Sequence, residues 1–140
     1  TYHHKNIKPD QIDLLIVEDD GDLAKLLIAV FNGRFKKVIH TARTDKGLTI
    51  IEEELVPHSR VLCDHHNPLS PFHGAELAQL SSSIRMIKEI PFYLMSAELP
   101  ATDKELQELI GKGIINDFIQ KPFTPSQIRK AIMSTLAIPA

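Results

Sequence analysis

Five short stretches, far apart in the chain, carry side chains that would suit a divalent cation and a phosphoryl group if folding gathered them. They are Glu18-Asp19-Asp20, Asp64, Ser96-Ala97, Phe118 and Lys121-Pro122. Clustered carboxylates repel one another and raise each other's pKa. A hard cation with oxygen ligands removes that conflict, and Mg2+, which keeps several waters and takes few carboxylates, fits a small acidic cluster. Ser96 would add a hydroxyl donor and Lys121 a point charge, both matched to phosphoryl oxygens. Nothing in the chain resembles a glycine-rich phosphate loop, so nucleotide binding is not expected.

Apart from Phe118, which lies within the fifth, these residues follow runs that read as strands. Ile12 to Val17 is near-continuously apolar, as in a strand buried on both faces. Val38 to Thr41, Val61 to Cys63, Phe92 to Met95 and Asp117 to Gln120 read as four more. Helical patterns lie between them. Leu23, Leu26, Leu27, Val30 and Phe31 form the i, i+3, i+4, i+7, i+8 stripe of a first helix, with Gly33 as its stop. Thr44 to Leu55 is a second. A third opens at Gly74, carries Leu77, Leu80 and Ile84, and runs to about Lys88. A capping box at Thr102-Asp103-Lys104-Glu105 opens the fourth, and one at Thr124-Pro125-Ser126-Gln127 opens the fifth. Alternating β and α elements predict a single α/β domain of (βα)5 type: a five-stranded parallel sheet with helices on both faces. The strand ends would then share one edge, where open α/β sheets hold ligands.

The chain has 140 residues, 43% apolar and 24% charged, enough for one domain with a real core. A net charge of −2 gives no basic footprint for nucleic acid. The single cysteine, Cys63, excludes an internal disulfide framework and favours a reducing compartment. No apolar run approaches a membrane span, and the polar start does not read as a signal peptide. Residues 1–10 read as a polar leader, with His3-His4 a tag remnant or native, and 11–138 as the domain.

At this point the residues resemble a two-component response-regulator receiver domain, the flavodoxin-like fold of the chemotaxis regulator. Leu14 to Asp20 resembles the family's first strand and acidic pair. Val61-Leu62-Cys63-Asp64 resembles the third strand ending in the phosphoacceptor, with Pro68 four residues on. Ser96-Ala97 resembles the switch after the fourth strand, and Phe118 to Phe123 the aromatic residue and Lys-Pro-Phe of the fifth. The resemblance implies that Asp64 accepts a phosphoryl group from a sensor histidine kinase or histidine phosphotransfer protein. Asp19 would bind Mg2+ directly, Glu18 mostly through water, and His66 through its backbone carbonyl. Lys121 would pair with Asp64, Ser96 would hydrogen-bond the phosphoryl group, and Phe118 would turn inward as Ser96 moves. The domain would signal to an output domain or downstream protein, and is not an enzyme in the ordinary sense. The family context is bacterial and cytoplasmic. Dimerisation through the fourth and fifth helical faces, and whether the chain is a stand-alone receiver or a fragment of a larger regulator or hybrid kinase, stay open.

The chain departs from the family pattern in three places. The loop after Asp64 is about two residues longer before Gly74, the segment before Phe118 about one longer, and His65-His66 is an unusual pair. By family analogy His66 and Glu98 lie where they would tune dephosphorylation. Plainer readings stand beside these. Asp20 or Asp22 is a helix N-cap, Phe118 an ordinary core residue, Cys63 a small buried apolar residue, and His65-His66 two loop histidines or, with Asp64, a transition-metal set. Two other functions are weighed: a receiver-like interaction module that is never phosphorylated, and a Mg2+-dependent aspartyl-phosphate phosphohydrolase, which usually has a second aspartate where His66 stands.

Overall fold

The computed structural model describes residues 6–98 and 102–137; residues 1–5, where His3-His4 fall, 99–101 and 138–140 lie outside the described part. The elements alternate as β1 Asp13–Val17, α1 Gly21–Phe31, β2 Lys37–Thr41, α2 Thr44–Glu53, β3 Arg60–Asp64, α3 Gly74–Leu80, α4 Ser82–Lys88, β4 Phe92–Ser96, α5 Lys104–Gly111, β5 Asp117–Gln120 and α6 Pro125–Met133. All strand pairs are parallel, in the order β2-β1-β3-β4-β5.

Strand alternation divides the core into two layers. Leu15, Val17, Val61, Cys63, Phe92 and Leu94 face a cluster with Ile51, Leu77, Leu106 and Leu109 of α2, α3 and α5. Leu14, Ile16, Leu62, Tyr93 and Met95 face the other way, onto Leu27 and Phe31 of α1 and Ile128 and Ile132 of α6. β1, β3 and β4 are buried along their whole length, which is why their central residues read as apolar runs, with buried Asp13, Arg60, Asp64 and Ser96 as polar exceptions at the strand ends. Ile7 and Pro9 of the polar leader also belong to this packing: Ile7 lies against the second cluster, Pro9 is buried, and the Ile7 carbonyl accepts from Ala137 N at 2.9 Å.

Three local expectations are corrected. The third helix is two helices, broken at Ser81. Its hydroxyl donates to Leu77 O at 2.7 Å and accepts from Arg85 Nε at 2.8 Å, the kind of local side-chain bond that bends a helix. Its inward face is Leu77, Ser81 and Arg85, so Leu80 is 58% exposed. Arg85 is buried, with its guanidinium on the carbonyls of Ala78, Ile90 and Ile114 and over the Phe92 ring. On α1 the buried line is Ala24, Leu27 and Phe31, which leaves Leu26 outside. At α5 the cap is Asp103, which accepts from Leu106 N, one residue after the expected Thr102. The Thr124–Gln127 box forms as read, with both reciprocal bonds present.

Candidate functional site

The strand order reverses between β1 and β3, and open parallel sheets place their ligand crevice at such a point, beyond the carboxyl ends of the strands. β1 ends there in Glu18-Asp19-Asp20, and β3 ends in Asp64. Glu18, Asp19 and Asp64 each bring a carboxylate oxygen within 4.8 Å of the others. Lys121, just past β5, reaches in across the β4 edge. Its ammonium lies 2.7 Å from Asp64 Oδ1 and 3.2 Å from Glu18 Oε1. The Lys121 amide is tied to Ser96 O at 2.9 Å, and the Lys121–Pro122 peptide is cis.

The surrounding bonds orient each group. Glu18 Oε2 accepts from Asp20 N, while Asp20 itself caps α1 through Asp22 N and Leu23 N. The Asp64 carbonyl accepts from Asn67 Nδ2 at 2.7 Å and lies 3.2 Å from the Cys63 thiol. Gly74 permits this packing: a Cβ there would sit 2.5 Å from that same carbonyl oxygen. Ser96 is buried, and its hydroxyl accepts from Glu98 N at 3.1 Å. Phe118 stands opposite Leu94 in the sheet register and packs, half-buried, against the first cluster. His66 Nε2 lies 3.3 Å from Glu98 Oε1 at the mouth of the crevice.

The electrostatics are those of an under-compensated acidic pocket. Glu18 is only 1% exposed, and burial pushes its carboxyl up to about 7, with the Asp64 charge adding to the rise against the Asp20 amide and Lys121. Burial pulls the Lys121 ammonium down, but its hydrogen bond to Asp64 and the two carboxylate charges outweigh this and hold it above the ordinary lysine value. Burial pushes the Cys63 thiol well up, so it packs rather than reacts. The cluster offers carboxylate oxygens alone, the donor set of a hard ion, and a divalent cation would offset the mutual repulsion that a single ammonium leaves. The residues present therefore fit Mg2+.

Two contributors to the site carry no chemical signal in the sequence. His40 Nε2 donates to Glu18 O at 2.9 Å, and Glu18 N donates to Thr41 O, so the end of β2 clamps Glu18 on both sides. A lone exposed histidine on a strand gives no sequence signal for that. Asn67 sits beneath Asp64 in the lengthened loop, and only the fold shows its bond.

No protein-family model matches the chain, nor does any curated protein. Solved structures do. An adenylate cyclase from Rhodopirellula baltica superposes with a TM-score of 0.74 at 23% identity, covering 89% of this chain and 87% of that one. A CheY-like response-regulator receiver domain protein from Methanospirillum hungatei gives 0.73 at 21% identity, over 89% and 92%. The receiver domain of a sensor histidine kinase from Pseudomonas aeruginosa, with magnesium coordinated in its active-site cleft, gives 0.69 at 17% identity, over 89% and 96%. The structural neighbours are mostly receiver domains, and with its five parallel strands in the order 2-1-3-4-5 this chain has their flavodoxin-like fold.

Proposed function

We propose that this domain is a response-regulator receiver whose phosphoacceptor is Asp64. The observation that carries the reading is the Lys121–Asp64 contact of 2.7 Å inside a three-carboxylate cluster at the sheet's switch point. A bound Mg2+, as in the Pseudomonas neighbour's cleft, would neutralise the cluster and screen the incoming phosphoryl group. Glu18, Asp19, Asp64 and the His66 carbonyl are the groups that would hold it.

An Asp64 carboxylate oxygen attacks phosphorus, the P–N bond of a phosphohistidine or the P–O bond of acetyl phosphate breaks, and an acyl phosphate forms. Phosphoryl transfer needs positioning and charge neutralisation more than covalent help. Asn67 and Gly74 fix the Asp64 backbone, and His40 and Thr41 fix that of Glu18. Once Asp64 is modified, Lys121 follows the new negative oxygens. The Ser96 hydroxyl turns toward them, and Phe118 moves inward behind it. That repacking changes the surface of α5, β5 and α6, which an output domain or partner reads. The shift extends only as far as the phosphoryl group's differential affinity for the two states. The His66–Glu98 pair at the mouth governs water's approach to the acyl phosphate.

The protein is incubated with Mg2+ and acetyl phosphate and its intact mass is taken. One phosphoryl adduct in the parent, lost in Asp64→Ala, supports the reading. No adduct in the parent refutes it and leaves the unphosphorylated interaction module; the same adduct in both refutes Asp64 as the acceptor. Multiple-turnover release of phosphate from a phosphomonoester would instead point to a phosphohydrolase.

A further inference from the structure

A second set of metal-binding groups lies beside the acidic cluster and is different in chemistry. His65 and His66 are consecutive, and consecutive side chains of an extended segment point apart. Here the loop turns both rings to one side, with centroids 4.7 Å apart. His66 Nε2 lies 3.3 Å from Glu98 Oε1, and both side chains are more than half exposed. His65 Nδ1 is buried with no hydrogen-bond partner. The third ring, His73, stands 6.0 Å from His66 and 6.4 Å from His65, with its Nδ1 accepting from Asn67 N.

From these contacts we infer that His65, His66 and Glu98 form a site for a borderline transition-metal ion of the Zn2+ type, separate from the Mg2+ cluster. Ligand atoms about 2.0–2.1 Å from one tetrahedral zinc are roughly 3.4 Å from each other, and two imidazoles sharing it have centroids roughly 5 Å apart. The 3.3 Å and 4.7 Å separations match those two spacings. Three ligand atoms converge within 4.8 Å only at Glu18, Asp19 and Asp64 among the described residues; in the histidine set, rotation of the His65 ring supplies the third, and water takes the fourth position. His73 is kept out of the ligand set because its Nδ1 lone pair is taken by the Asn67 amide, which leaves the proton on Nε2. Imidazole with one carboxylate suits zinc, copper and nickel, whereas the all-oxygen cluster next to it suits magnesium. The two sites therefore sort divalent ions by softness.

The test is Zn2+ titration of the full chain against a chromophoric chelator in saturating Mg2+, with thermal melts to confirm that each variant is folded. The parent takes up one equivalent, Asp19→Asn and the double variant His3→Ala/His4→Ala keep it, and His65→Ala/His66→Ala loses it. Glu98→Gln weakens it at least roughly tenfold, the scale on which even an outer partner of a metal ligand acts. Should the double loop variant not fold, the exposed single changes His66→Gln and Glu98→Gln decide. No uptake by the parent, loss in Asp19→Asn, loss in His3→Ala/His4→Ala, or uptake unchanged in the loop and Glu98 variants would each overturn the site.

Discussion

Replacing Glu18 by glutamine tests the electrostatic account of the acidic pocket most directly. Glu18 is buried, and its folded-state pKa is raised from 4.5 to about 7, first by burial and then by the Asp64 charge. A carboxyl group whose folded value exceeds its unfolded one binds its proton more tightly in the fold. Its stabilising contribution is therefore complete below about pH 4.5 and is lost as pH rises through about 7. At about 1.4 kcal/mol per pKa unit, the loss amounts to about 3 kcal/mol. Without Mg2+, the parent should lose this much relative to Glu18→Gln between pH 4.5 and 8, measured by urea unfolding across that range. His65, whose pKa burial lowers, has the opposite slope, but it is common to both proteins and cancels in the difference. Mg2+ at about a hundred times its Kd should restore roughly 2.7 kcal/mol to the parent above pH 7 by binding the folded state. Stability curves for parent and variant that run parallel from pH 4.5 to 8 would refute the reasoning.

Other consequences follow from the same contacts. Lys121→Met leaves two buried carboxylates against each other, and should cost about 3 kcal/mol or more in urea melts at pH 8 without Mg2+; equal stability there would argue against the pairing. Gly74→Ala drives a Cβ to 2.5 Å from Asp64 O and 2.9 Å from Leu94, so it should lose about 2 kcal/mol and slow acetyl-phosphate labelling. His40→Ala frees the Glu18 carbonyl and should weaken Mg2+ binding several-fold with little change in melting temperature, while His40→Gln, which keeps a donor, should restore it.

Much of this molecule is legible along the chain because burial on both faces leaves a plain mark. The central residues of β1, β3 and β4 must be apolar, so their positions and their polar C-terminal ends can be read directly. The α6 capping box is also a local matter, decided within four residues. Where the reading slipped, the cause lay outside the segment. Leu26 and Leu80 sit on plausible helical stripes, but the sheet and neighbouring helices cover Leu27, Ser81 and Arg85 instead. Thr102 and Asp103 are both good caps, and only the path of the chain into α5 chooses Asp103.

The order of β and α elements, the acidic pair after β1, the aspartate ending β3 and the lysine after β5 were determined by sequence alone, because each depends on residue type and nearby spacing. Tertiary structure decided that Lys121 bridges Asp64 and Glu18, that His40 holds Glu18 from the sheet edge, and that His66 meets Glu98 with the His65 ring beside it. Those contacts join residues on separate strands and loops. Their geometry comes from parallel register and sheet order, which no local window of the chain contains.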